Sequence, residues 1–114
     1  MFSQARQNVV STVESVLGKG KCALLAFPVD GAPELPWAVY YDDPSGEGAD
    51  GDNWSTAHRW TVELYEKQSD SALEKQLFDS LRAAYGFVEP PEETWIESEE
   101  CYRCVFRFNE IEGM

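Results

Sequence analysis

The sequence predicts an α+β protein, a mainly antiparallel sheet with two amphipathic helices packed on one face. Three observations predict it. Residues 57–67 and 101–109 alternate apolar and polar side chains, the period of a half-buried strand. Residues 3–17 and the stretch after Asp70 repeat apolar residues at helical spacing. Gly, Pro, Asp and Asn cluster between these segments, where a chain must turn. The resulting order α, β, β, β, α, β, β carries no internal repeat and suits helices segregated to one side of a sheet.

Each element has its own reason. In 3–17, Val9, Val10, Val13, Val16 and Leu17 share one helical face. Ser3 is the candidate N-cap, and Gly18 or Gly20 the stop. The valines lower helix propensity, so this helix needs tertiary packing. Cys22–Phe27 is a short apolar strand, and Asp30-Gly31, Pro33 and Pro36 punctuate the segment after it. Trp37–Tyr41 sets Trp37, Val39 and Tyr41 on one face against Ala38 and Tyr40.

Asp42–Ser55 reads as a flexible acidic loop, too poor in apolar residues to fold alone. Loops this long inside a compact domain are usually functional. Ala57–Lys67 then places Trp60, Val62 and Leu64 inward and Arg59, Thr61, Glu63 and Tyr65 outward. Ser71 and Glu74 have capping-box spacing. Leu73, Leu77, Leu81 and Ala84 form the expected buried stripe, with Phe78 and Tyr85 beside it and Gly86 as the stop. Thr94–Glu97 is a brief strand. Cys101–Asn109 is a longer one, expected beside Thr94–Glu97 or Ala57–Lys67.

The length of 114 residues fits one domain spanning 1–114. The net charge of −12 excludes a protein that grips a phosphate backbone or an anionic membrane, since both need clustered Lys and Arg. The charge is uneven, with Asp42, Asp43, Glu47, Asp50 and Asp52 crowded into one loop. Three cysteines make no disulfide framework, which points to a reducing compartment.

Motifs for chemistry are weak. Cys101 and Cys104 have CxxC spacing but point to opposite faces of a strand. His58 is the lone histidine, with no orienting partner or nucleophile evident, and reads as a polar residue at a strand start. Asp50-Gly51-Asp52-Asn53 begins like a calcium loop, but Ser55 and Thr61 stand where glycine and glutamate are required. Gly18-Lys19-Gly20-Lys21 follows a helix, whereas a phosphate loop precedes one. Glu97, Glu99 and Glu100 sit at a turn and read as solvated. No catalytic, cofactor-binding or metal-ligating residue is therefore expected, and the chain reads as non-enzymatic.

The segments ELPWAVYY, HRWTVELYEKQSDSALEKQLFDSLRAAYG and ETWIESEECYRCVFRFNEI, with the acidic loop between the first two, carry a resemblance. The chain resembles the tail-completion, or tail-terminator-like, minor structural proteins of tailed phages and prophages. The resemblance implies an α/β fold without cofactor. It implies a virion protein, assembled in the bacterial cytoplasm, that forms a ring, often a hexamer, at the end of the tail tube or at the head–tail junction. Its partners would be further copies of itself, the tail-tube protein and the head–tail connector proteins, with no specific nucleic-acid or membrane binding. Asp42, Asp43, Glu47, Asp50, Asp52 and Trp54 are then the candidate interface or lumen loop. Arg59, Glu63 and Tyr65 are the candidate subunit-contact strand face. The alternative is an acidic protein-binding module of inhibitor or DNA-mimic type, motivated by the charge.

Overall fold

The computed structural model describes residues 4–28, 30–43 and 55–113. Its elements are α1 (Gln4–Leu17), β1 (Cys22–Leu24), β2 (Trp37–Asp42), β3 (Ser55–Glu66), α2 (Ser71–Tyr85), β4 (Glu92–Ile96) and β5 (Cys101–Gly113). The five strands form one sheet in the order β1-β2-β3-β5-β4. Strands β1 and β2 run parallel. The remaining pairs are antiparallel, as the alternation predicts. The centre is β3 against β5, in register from Ser55↔Gly113 to Glu66↔Tyr102.

Alternation along β2, β3 and β5 sends Ala38, Tyr40, Trp60, Val62, Leu64, Cys104, Phe106 and Phe108 to the helix-covered side, where all are buried. Ala5, Val9 and Val13 of α1 and Leu77 and Leu81 of α2 meet them in one cluster. Full burial of a Leu or Phe is worth about 1.5–3 kcal/mol, so this layer is the main source of stability. Both helices need it. The valine-rich α1 has poor intrinsic propensity, and its apolar stripe is satisfied only against the sheet.

The helix ends follow local chemistry. The Gly18 amide donates to the Glu14 carbonyl at 2.8 Å, with Gly18 in the positive-φ region that stops a helix. At α2 the cap is Asp70, one residue before the expected Ser71. The Leu73 amide donates to Asp70 Oδ1 at 3.0 Å. An aspartate one position earlier reaches the same free amides and adds a favourable charge at the dipole's positive end. Glu74 is consequently not a capping-box partner, and it turns toward the sheet. Ala84, expected in the stripe, is exposed, because the buried face of α2 runs through Leu77 and Leu81. Ser3 lies outside the described residues.

The sheet edges differ from its centre. Strand β1 has three residues. Strand β4 is mostly exposed and carries Glu92 and Glu93. Short or charged edges discourage pairing with another chain.

A candidate interaction surface on the open face of the sheet

The odd-numbered residues of β3 point away from the helices. Register brings Glu63 between Val39 and Val105, and Tyr65 between Trp37 and Arg103. Arg59, Glu63 and Tyr65, the expected contact residues, therefore share one open face with Trp37, Tyr41, Arg103 and Arg107. Glu63 organises its middle. The Tyr41 hydroxyl donates to Glu63 Oε2 at 2.8 Å, and the Tyr65 hydroxyl to Glu63 Oε1 at 2.9 Å. Burial first, then the hydrogen bond to Glu63, pushes the Tyr65 hydroxyl up to about 12 and raises Tyr41 in the same direction. Both remain neutral donors at any physiological pH.

Trp37 extends this cluster. Its ring lies 4.8 Å from Tyr65 and 5.1 Å, edge-on, from Phe27. Rigid aromatic side chains interleaved with arginine are the composition enriched in protein interfaces, because they offer contact area at low entropic cost. A cleft of about 360 Å³ adjoins the face, with Asp43, Arg59, Glu89 and Arg107 on its walls. On the far side of the sheet, Arg6, Val10, Leu24 and Tyr40 line a more apolar groove of about 510 Å³. Leu24 and Leu25 stand exposed beside β1.

The loop candidates divide. Glu47, Asp50, Asp52 and Trp54 lie outside the described residues. Asp42 belongs to β2, and the Asp43 amide donates to the Arg59 carbonyl at 3.0 Å. Strand pairing thus continues past the point where composition suggested a loop. Asp42 faces inward, with its Oδ2 2.6 Å from His58 Nδ1. His58 in turn stacks on Trp60 at 4.9 Å, and the Trp60 indole donates to Glu110 Oε1 at 2.9 Å. His58 does have the orienting carboxylate that the sequence did not reveal. The ring is buried flat on Trp60, so the pair closes this end of the core. Cys101 and Cys104 are buried on opposite faces of β5, as their spacing predicts.

Sequence reasoning missed one cluster. At the far end of β3, Glu66 meets Glu74 of α2 and Glu93 of β4, with one carboxylate oxygen from each within 4.8 Å of the others. The signal was present: Glu66 continues the inward series Trp60, Val62, Leu64 at a spacing of two.

No family model and no curated protein matches the sequence. The fold is similar to a solved chain from the virion of a native gene transfer agent particle, at a TM-score of 0.60 and 12% identity. The likeness covers 96% of this chain and 91% of that one, so what the two share is the α+β architecture along nearly their whole lengths.

Proposed function

We propose that this chain is a non-enzymatic virion assembly protein of phage or prophage type, a tail terminator or head–tail joining protein that closes into a ring at the end of the tail tube. The observation that carries the reading is the fold likeness to a virion chain across nearly all of both molecules. The surfaces support it. A closed ring of identical subunits joined head to tail needs two unlike patches on each copy. The open face, with Tyr41, Glu63, Tyr65 and Arg107, is polar and aromatic. The groove between α1 and β1 is apolar. Self-association, the tail-tube protein and the head–tail connector proteins are the proposed partners, with the acidic segment from Asp43 to Trp54 at the interface or lumen and Asp42 kept inside by His58. Acidic side chains there would let DNA pass without adhesion, since they repel phosphate.

Co-expression with the tail-tube protein of the same genome, followed by electron microscopy, tests the reading. Tubes of uniform length ending in a ring of this chain are expected. Tyr65→Ala and Arg107→Glu should leave the chain folded and the tubes open-ended. A tight one-to-one complex with a basic protein, with no affinity for tubes, would replace this reading with the acidic binding module.

A further inference from the structure

We propose that Glu66, Glu74 and Glu93 form a binding site for one hard divalent cation, calcium, magnesium or manganese, that joins the end of β3 to the first turn of α2 and to the edge strand β4. The proposal stands apart from the assembly reading and does not depend on it.

The first observation is geometric. Two oxygens on opposite sides of a cation at about 2.4 Å stand about 4.8 Å apart. The three carboxylates place one oxygen each within 4.8 Å of the others, close enough for one cation to reach all three. Each comes from a different element, so the cluster is built by the tertiary fold. Ser69 fixes the outermost ligand, its hydroxyl donating to Glu93 Oε2 at 2.8 Å.

The second observation is the state of Glu66. The residue is 2% exposed and aims into the cluster. Both of its carboxylate oxygens, and Oε2 of Glu74, are buried without a hydrogen-bond partner. No lysine or arginine among the described residues forms an ion pair with any of the three. A buried carboxylate without a counter-charge, eased only by the nearby Asp70 amide and the Glu74 carboxyl, carries a desolvation penalty, and proteins resolve it by protonation or by a metal. Burial, reinforced by the neighbouring carboxylates, pushes Glu74 up to about 9, and burial raises Glu66 as well. Even the Cys104 thiol beneath them is pushed up to about 12, by burial first and then by the three acids.

The donor set selects the ion. Three carboxylates with no imidazole or thiolate suit hard cations and are poor for copper or zinc. Glu93 is exposed, so the site opens toward solvent on its side, giving an entry path and room for water ligands.

Thermal unfolding and titration calorimetry of the full chain, stripped with chelator and then given millimolar calcium, magnesium or manganese, test this. At least one ion should raise the unfolding midpoint by about 5 °C or more, by binding the folded state alone. Glu74→Gln and Glu93→Gln should fold with midpoints equal to or above the parent in chelator, because each relieves the crowding of three acids, and should lose the response to the ion. Absence of both a midpoint shift and a binding heat in the parent overturns the proposal, leaving the trio held by protons. A response that survives both variants also overturns it, because the ion then sits on other acids.

Discussion

At each end of β3 an acid lies on the helix-covered side of the sheet, and the two ends treat it differently. At one end Asp42 meets His58 at 2.6 Å, and the imidazole stacks on Trp60. At the other end Glu66 meets Glu74 and Glu93, two further acids. His58 is 7% exposed and Glu66 2%, so burial does not separate them. The counter-group does. The first acid has its counter-group within the chain, at Oδ2, although its Oδ1 is buried without a hydrogen-bond partner. The second needs something from solution, a proton or a cation, and so links the junction of β3, α2 and β4 to the medium. With 9 basic residues against 21 acidic ones, the chain cannot supply a base to every acid.

The largest expected effect sets the scale for both ends. Leu77→Ala removes a fully buried side chain from the core that lies between them, and should cost about 2–5 kcal/mol in denaturant unfolding. A loss well below 1 kcal/mol would mean that Leu77 does not anchor α2 in the core between the two ends. Asp42→Asn comes next. It removes the charge facing His58 and should cost about 1–3 kcal/mol at pH 7, read from the same unfolding curves. If it proves neutral, the two ends do not differ in their counter-groups.

The third effect is a pH dependence of opposite character. In chelator, Glu74 holds its proton up to about 9 in the folded state and to about 4.5 unfolded. The folded state binds more protons between those values, so this group's contribution to stability is fully present below pH 4.5 and is lost as pH rises toward 9. The unfolding midpoint of Glu74→Gln should fall less steeply over that window than the parent's. Parallel profiles would remove Glu74 from the account. The smallest effect on stability belongs to the open face. Arg107→Glu should change unfolding by no more than about 0.5 kcal/mol, since the side chain is exposed. A large loss of stability would show that this face is structural and not a contact surface.

Much of the fold was legible because it rests on periodicity. The inward series Trp60, Val62, Leu64 and Tyr102, Cys104, Phe106, Phe108 fixed β3 and β5, and the helical spacing of Val9 and Val13 and of Leu77 and Leu81 fixed the cover. Three features were not legible in this way. The parallel β1–β2 pair depends on where the chain returns after Pro36, which no local pattern encodes. The choice of Asp70 over Ser71 as cap turns on a one-residue phase of α2, and both residue types cap well. The polar clusters escaped notice because their members lie far apart in sequence, Asp42 with His58 and Glu66 with Glu93. The residue types were plain, but the contacts exist only after the sheet has formed. Of the proposed contact face, Arg59, Glu63 and Tyr65 followed from alternation, whereas Tyr41, Trp37 and Arg107 joined them only through register.

The acidic edge strand has a practical consequence. Glu92 and Glu93 set carboxylates along the free edge of β4, and charge on an edge strand disfavours its pairing with another chain. The three-residue β1 offers the opposite edge too little backbone to nucleate a fibre. Concentrated solutions at neutral pH should therefore stay clear. The guard is made of carboxylates, so acid removes it. Turbidity should rise as the pH falls through the carboxylate range and reverse on neutralisation, and Glu92→Gln with Glu93→Gln should raise it already at neutral pH if charge on this edge keeps neighbouring molecules apart.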